Sequence, residues 1–197
     1  MRLDIKFYEQ SALSVAKELL GKHLVRKIGR HRIITKIVET EAYCGPEDKA
    51  CHAFDNRRTS RTETMFMPGG HAYIYLIYGL NHCLNIVTEK SDVPHAVLIR
   101  AVEPVEGLDL IKKNRPLIKN IYDFTNGPGK LTKALNIDMN LNGYDIIKGT
   151  ELYIENNPEI SEISIVKTKR VNIDYAGEFK DKPWRFYIKD NPFVSKK

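Results

Sequence analysis

Three apolar segments follow one another closely in the middle of the chain, at residues 73–78, 83–89 and 96–102. Each has the length of a single strand, and Gly79 falls in the short gap between the first two. Short runs rich in Tyr, Ile and Val that are separated by turn residues are typical of strands that pair with their neighbours in sequence. The pattern therefore predicts an antiparallel meander at the centre of the fold.

Weaker signals surround this meander. Ser11 is a candidate cap for a helix that ends near Gly21, and Gly29 separates two β-like runs as in a hairpin, at residues 23–28 and 31–43. The other predicted elements are a helix at 104–113, a loop that enters a short helix at 127–135, and strands at 151–154, 163–168 and 185–188. We expect an α+β protein with an antiparallel or mixed, curved β-sheet, a protruding β-hairpin and several flanking helices. Since no linker or repeat divides the chain, residues 1–197 are predicted to form a single domain.

The segment 44–66 contains the polar run RRTSRTET. We expect it to be a surface loop or a short helix, because it is too polar to join the core. Its arginines, Arg57, Arg58 and Arg61, are candidates for contacts with phosphates, and an ordinary solvated loop is an equally good interpretation.

The charge balance favours a polyanionic partner. The 197-residue chain has 31 Lys and Arg against 25 Asp and Glu, a net charge of +6. Nucleic acid is the leading candidate, while an anionic metabolite or simple solubility stays open. The longest nearly apolar stretch, residues 72–80, has nine residues, fewer than the roughly 20 that span a bilayer. Without an apolar signal-peptide core at the N-terminus, we expect a soluble cytoplasmic protein with no membrane contact.

The three cysteines, an odd number, predict reduced thiols rather than a disulfide framework. Cys44, Cys51 and Cys83 occur near His52 and His82, but the spacings match none of the usual zinc motifs. We therefore predict no metal site.

Two carboxylates share one strand in the run IVETEAY. The two-residue period of a strand places Ile37, Glu39, Glu41 and Tyr43 on one face. Carboxylates beside an aromatic ring suit acid–base chemistry, whereas the alternative is a solvated or salt-bridged face.

The run YIYLIY places Tyr73 and Tyr75 on one strand face and Tyr78 on the other. These tyrosines are interpreted either as core or as a surface that stacks on bases or sugars. Asn85, between Leu84 and Ile86, is most simply a structural hydrogen-bonding residue. Arg100 lies in an apolar strand, where a guanidinium needs a carboxylate or phosphate partner.

Read in order, five blocks of the chain resemble the alkyladenine (3-methyladenine) DNA glycosylase family. The resemblance covers residues 19–195 and is carried by five blocks: VETEAYCGPEDKACHA, R-x-x-x-MFMPGGHAYIYLIYGLNHCLNIVTE, AVLIRAVEPVEGL, GPGKLTKALNI and KPWRFYIKDNPFVS. It implies a monofunctional glycosylase of base excision repair that needs no cofactor or metal.

The resemblance also implies how a damaged base is held. A base inside a duplex must be flipped out before it can be cut, and Tyr78 matches the residue that wedges into the vacated stack. Tyr43 and Tyr75 match stacking aromatics, with His52 on the opposite side or edge of the base. Asn85 matches an asparagine that clashes with the exocyclic amine of guanine.

For the chemistry, the resemblance makes Glu41 the general base that holds a water against C1′ of the deoxyribose. Arg100 matches an arginine that helps to position this water, and Val171 matches a residue whose backbone carbonyl does so. Arg61 and Lys130 are candidate contacts with DNA phosphates, and an ordinary solvated lysine is the alternative for Lys130. The substrates implied are alkylated or deaminated purines of the 3-methyladenine, 7-methylguanine, hypoxanthine and ethenoadenine type.

The chain departs from the commonest bacterial pattern at three places: Thr62 after Arg61, MFMPGG in place of MFGPPG, and Leu80-Asn81 after the YG turn. The last two changes affect the tip of the hairpin. They leave the lesion range and the wedge geometry open.

Two other functions remain open at this stage. A catalytically silent binder of damaged or single-stranded nucleic acid needs the aromatics but not Glu41. A carbohydrate hydrolase needs Glu39 and Glu41 on opposite sides of a sugar ring, which their common strand makes difficult. The expected partner is double-stranded DNA that carries a damaged purine, bound by a monomer with no obligate protein partner and associated with the nucleoid through that DNA.

Overall fold

The sheet gathers strands from most of the chain. The computed structural model describes residues 1–77, 79–158 and 162–196. The strands are β1 (His23–Ile28), β2 (His31–Cys44), β3 (Ala72–Ile77), β4 (Asn81–Thr88), β5 (His95–Glu106), β6 (Leu152–Glu155), β7 (Ile165–Thr168) and β8 (Arg185–Ile188). Their main order is β3-β4-β5-β2-β1-β6, and β8 joins β2 to β7. Every strand pair is antiparallel.

The helices are short. They are α1 (Ile5–Tyr8), α2 (Ala12–Glu18), α3 (Leu108–Asn114) and α4 (Pro128–Ala134), with 3₁₀ turns at Phe54–Asn56, Glu63–Phe66, Ile121–Asp123, Met139–Leu141 and Asp174–Asp181. Among the described residues, no helix is long and apolar enough to cross a membrane. The predicted α+β class with an antiparallel sheet is confirmed.

Local signals explain the elements that the sequence predicted well. Ser11 caps α2, because its side chain accepts a hydrogen bond from the N–H of Ser14. Gly21 follows this helix with φ at 82°, and Gly29 lies in the β1–β2 turn with φ at 59°, a conformation that favours glycine. The β1–β2 hairpin and the β3–β4–β5 meander are confirmed.

The sheet is buried on both faces. On one face, α2 and α4 cover apolar residues such as Ala42, Leu84 and Ile99, which form the main core. On the other face, a smaller cluster that includes Tyr73 and Val87 packs under the segment 44–66. This second face carries the candidate site.

The expectation that segment 44–66 is too polar for the interior is wrong for part of it. Met65 and Phe66 pack in the second cluster, and Asp48 is fully buried. Asp48 is buried because it pairs with Arg170, 122 residues away, a partner that local composition does not reveal. Arg57 and Arg61 remain exposed, as expected.

Two further expectations need correction. The helix predicted at 104–113 begins only at Leu108, because β5 continues to Glu106, which pairs with Arg32 of β2. Ile37 does not share a face with Glu39: the register shifts between them, Ile37 packs in the main core, and Val38 packs against Phe193 on the other side. A β-bulge at Val38 therefore breaks the alternation.

Candidate active site

The strand pairing aligns two of the predicted site residues, Asn85 and Glu41, in one row across the sheet. Asn85 of β4 lies opposite Leu98 of β5, which lies opposite Glu41 of β2, which lies opposite Arg185 of β8. Tyr73 of β3 begins the row opposite Asn85. Because directly paired residues point to the same side of a sheet, the pairing register brings the pocket and the carboxylate together on one face.

Glu41 is fully buried, and both of its carboxylate oxygens have partners. The backbone N–H of Val171 donates to Oε1 at 2.8 Å, and Arg100 Nη1 lies 3.4 Å from the same oxygen. The hydroxyl of Tyr43 donates to Oε2 at 2.9 Å. The three neighbours hold the carboxylate in one orientation.

Glu39 is fully buried as well and serves as the centre of an ion-pair network. Its oxygens accept hydrogen bonds from Arg100 Nε at 3.2 Å, from Arg185 Nη1 at 2.6 Å and from the N–H of Ser195 at 2.7 Å. Of the two alternatives for this strand face, solvated or salt-bridged, Glu39 follows the salt-bridged one. Because Glu39 is fully buried within this network, it is poorly placed to touch a sugar, which argues against a paired-carboxylate carbohydrate hydrolase.

Arg100 links the two carboxylates, which confirms the expectation that it needs an acidic partner. The register shift between Glu39 and Thr40 makes Arg100 the extra residue of β5, turned toward both glutamates. Burial opposes its charge, but the nearby Glu41 and Glu39 outweigh burial and raise the pKa of the guanidinium above its usual value. Arg100 is therefore a permanent cation beside Glu41.

A cavity opens beside Tyr43, the residue whose hydroxyl bonds Glu41. Its walls are mostly aromatic, apolar or amide side chains: Tyr43, Ala50, Cys51, His52, Met65, Tyr73, Tyr75, Asn85, Ala96 and Tyr175. The aromatic walls suit a planar ligand that stacks on them. All four predicted pocket residues, Tyr43, His52, Tyr75 and Asn85, line it.

His52 forms one wall of the cavity and is held there by tyrosines. Its Nδ1 lies 2.9 Å from the hydroxyl of Tyr73, and its ring contacts that of Tyr75 edge-on at 4.5 Å between centroids. Burial, and then the positive charge of Arg61, lower the pKa of His52 to about 4. The imidazole is therefore neutral near pH 7 and presents no charge to a ligand.

Asn85 is fixed by its neighbour strand. Its side-chain amide nitrogen donates to the carbonyl of Tyr73 at 3.1 Å, which confirms the structural hydrogen bond, and the residue also lines the cavity. Since the amide is buried and anchored at one end, it presents the same atoms to any ligand.

The candidate phosphate contacts lie at different places. The guanidinium of Arg61 lies 5.4 Å from the ring centroid of Tyr75, at the edge of the cavity. Arg58 is paired with Glu63 and Asp92. Lys130 lies away from this cavity: its Nζ donates to Asn126 and pairs with Asp123 beside a second cavity that Asn81 also lines.

The departures from the bacterial pattern have structural consequences. Thr62 is buried, accepts a hydrogen bond from the N–H of Thr59 and donates to the carbonyl of Arg57, so it shapes the arginine loop. Leu76 and Leu80, on either side of the hairpin tip, are exposed. The wedge residue Tyr78 lies outside the described residues.

Sequence reasoning missed Tyr175 at the mouth of the cavity. Its ring is largely exposed, and its hydroxyl donates to the carbonyl of Ala50 at 3.4 Å. A lone tyrosine in a polar segment gives no sequence signal, because only the fold brings it next to residues 50–52. No group of three or more His, Cys, Asp or Glu in the described ranges is arranged to bind a metal.

Comparison with known proteins identifies the family. The model of the family described as methylpurine-DNA glycosylase matches residues 6–192. The chain belongs to the methylpurine-DNA glycosylase family. The resemblance seen in the sequence is thereby confirmed, and the glycosylase is a hydrolase that acts on N-glycosyl bonds of DNA.

Curated relatives are similar in sequence to the glycosylase over nearly its whole length. A protein of Natranaerobius thermophilus is 53% identical over 196 residues, with 99% of each chain covered. One of Alkaliphilus oremlandii is 51% identical over 204 residues with both chains covered completely, and one of Methanocella arvoryzae is 49% identical with 97% of this chain and 94% of its own covered. All three are provisionally named 3-methyladenine DNA glycosylase.

Proposed function

We propose that this DNA glycosylase flips a damaged purine out of the duplex into the cavity between Tyr43, Tyr75 and His52 and hydrolyses its N-glycosidic bond with a water activated by Glu41. The observation that carries the proposal is the position of Glu41, a buried carboxylate hydrogen-bonded to the tyrosine that lines the cavity. The product is an abasic site, and the strand is not cut.

The aromatic walls of the cavity favour a purine as the ligand, and a cationic purine in particular. Tyrosine faces carry negative quadrupole density and therefore attract an electron-poor, alkylated base. His52 is neutral and adds no repulsion. The proposed substrates are 3-methyladenine, 7-methylguanine, hypoxanthine and ethenoadenine.

The reaction needs a general base and a negative charge held close to C1′. A deprotonated Glu41 takes a proton from the water as it attacks C1′, and its negative charge stabilises the oxocarbenium-like transition state. Arg100 and the backbone of Val171 hold Glu41 and the water in line. An N3- or N7-alkylated purine leaves as a neutral molecule, whereas hypoxanthine must be protonated first.

Contacts with the duplex complete the proposal. We assign phosphate contacts to Arg61 and Lys130, and Tyr78 is proposed to fill the gap that the flipped nucleotide leaves. The enzyme acts as a monomer on an asymmetric target, in the cytoplasm and on the nucleoid.

The test is base release from a duplex that carries a single hypoxanthine or ethenoadenine, detected by alkaline cleavage of abasic sites. Wild type is expected to release the base, and Glu41→Gln to lower the single-turnover rate about 100-fold or more, as loss of a general base does. Glu106→Gln, on the exposed end of β5, is the control and should keep the wild-type rate.

A binding measurement distinguishes loss of catalysis from loss of DNA binding. Glu41→Gln should bind the lesion duplex within a few-fold of wild type, which is measured on a duplex that carries an uncleavable lesion analogue. If wild type binds the lesion but never releases the base, the protein is a silent binder. If Glu41→Gln keeps more than about a tenth of the rate, Glu41 is not the base.

A further inference from the structure

An ion pair that the proposed reaction does not use lies directly behind the site. Arg170, the residue before Val171, pairs with Asp48, and neither side chain is exposed. The pair is bidentate: Nη2 of Arg170 donates to Oδ1 of Asp48 at 2.8 Å, and Nη1 donates to Oδ2.

The pair joins three separate segments of the chain. Arg170 also donates to the carbonyl of Ala42 at 2.9 Å and to that of Phe179 at 3.3 Å. Asp48 in turn accepts from the N–H groups of Cys44 and Ala50, at 3.2 and 3.0 Å. The end of β2, the loop that follows it and the segment after β7 are thus fixed to one another.

The same guanidinium supports the aromatic wall of the cavity. Its carbon lies 4.7 Å from the ring centroid of Tyr43 and 5.0 Å from that of Trp184. Arg170 therefore touches the ring that hydrogen-bonds Glu41 and precedes the N–H that donates to it.

Stability alone is a weak explanation for such a pair. A buried ion pair is often no more stabilising than apolar residues of the same volume. Among the described residues, Nε of Arg170 has no hydrogen-bond partner. What the pair does provide is a fixed geometry for the two donors of Glu41.

We propose that Arg170 and Asp48 are positioning residues that hold the N–H of Val171 and the ring of Tyr43 against Glu41. Neither residue touches the substrate, and both act on the rate through the orientation of the Glu41 carboxylate. The inference rests on the proposed function of Glu41.

The first test uses Arg170→Lys and Asp48→Asn. Lysine keeps the charge of Arg170 but not its planar bidentate fork, and asparagine keeps the size of Asp48. Both variants are expected to lower the single-turnover rate of hypoxanthine release by about 10-fold or more. Binding to a duplex with an uncleavable abasic analogue should stay within about threefold of wild type.

Arg26→Lys is the matched control. Arg26 is also a buried arginine paired with a glutamate, Glu151, but it lies on β1 opposite Ile33 and does not line the cavity. It is expected to lower the melting temperature and to leave the rate unchanged at temperatures where the variant is folded. A purely structural role for Arg170 predicts the same behaviour for Arg170→Lys.

The decisive measurement combines Arg170→Lys with Glu41→Gln. A 7-methylguanine duplex is the substrate, because its cationic base leaves readily enough to keep the residual rate measurable. If Arg170 acts through Glu41, Arg170→Lys changes the rate of Glu41→Gln by less than about twofold. A further 10-fold fall overturns the proposal.

Other outcomes are equally decisive. A wild-type rate in folded Arg170→Lys and Asp48→Asn overturns the inference, and failure of both variants to fold would assign the pair to stability alone. If wild type itself releases no base, the proposed function fails instead, so the two failures are distinguished.

Discussion

The hydroxyl of Tyr43 donates a hydrogen bond to Oε2 of Glu41 across 2.9 Å. Burial, and then the neighbouring carboxylate of Glu41, raise the pKa of Tyr43 well above its usual value, so the hydroxyl keeps its proton and remains the donor. The hydrogen bond therefore fixes the ring that lines the cavity relative to the carboxylate of Glu41.

Tyr43→Phe separates the two roles of this side chain. The ring remains to stack on a base, but Oε2 of Glu41 loses its donor. Hydrogen bonds to charged groups are worth about 1.5–3 kcal/mol, so we expect the single-turnover rate to fall by roughly 10-fold or more. Binding to an uncleavable lesion analogue should change by no more than about twofold; an unchanged rate would show that the hydroxyl does not orient Glu41.

Glu39→Gln is expected to destabilise the fold. The carboxylate is fully buried and accepts hydrogen bonds from Arg100 and Arg185, so its loss leaves two buried cations short of a partner. Breaking a buried pair in this way costs about 3–5 kcal/mol of unfolding free energy. In a domain of this size each kcal/mol shifts the melting temperature by about 2–4 °C, so the melting temperature should fall by roughly 6–20 °C.

Glu106→Gln is the control in the same calorimetric measurement. Glu106 pairs with Arg32 on the surface, where solvent screens the charges, and its loss should leave the melting temperature unchanged. Equal effects of the two variants would contradict a structural role for Glu39.

The sequence predicts the strands well because their signals are local. Turn glycines such as Gly29 and alternating apolar residues mark both hairpins. The bulges at Val38 and Arg100 could not be predicted, since each depends on how β2 and β5 pair rather than on either strand alone. Because of these bulges, Ile37 points to the sheet face opposite to that of Glu39, whereas Arg100 points to the same face as Glu39.

In the site, too, the residues with local sequence signals could be predicted and those that depend on long-range contacts could not. Tyr43, His52, Tyr75 and Asn85 are found from their motifs, and the fold brings them to one cavity. The roles of Arg170 and Tyr175 depend on contacts with residues more than 100 positions away in sequence, which no local pattern encodes.

The stability of the protein should depend on the protonation of His52. Its pKa falls from 6.5 to about 4 on folding, through burial and then the charge of Arg61, so the unfolded chain binds the proton first as the pH falls. Above pH 6.5 His52 is neutral in both states and does not reduce the free energy of unfolding. Between pH 6.5 and 4 its protonation in the unfolded chain lowers this free energy by up to about 3 kcal/mol.

Melting curves from pH 7 to 4.5 test this dependence. Wild type should lose stability more steeply than His52→Gln, whose neutral side chain has no proton to bind. The pKa of His95 is lowered by burial too, but His95 is present in both proteins and cancels in the difference. Parallel curves would mean that His52 titrates alike in the folded and unfolded states.

Asn85 should set the choice between bases. Its amide nitrogen is held by the carbonyl of Tyr73, so the side chain cannot turn away from a base in the cavity. The family resemblance implies that this asparagine clashes with the exocyclic amine of guanine. Asn85→Ala is therefore expected to raise 7-methylguanine release relative to hypoxanthine release by several-fold, measured as the ratio of the two single-turnover rates.

Asn142→Ala is the control for this experiment. Asn142 also bonds β3, where its Oδ1 accepts from the N–H of Ile74, but it does not line the cavity. Its loss should affect both lesions equally, because it loosens the strand without enlarging the pocket. If Asn85→Ala slows both lesions by the same factor as well, Asn85 only braces β3, and selectivity must come from another wall of the cavity.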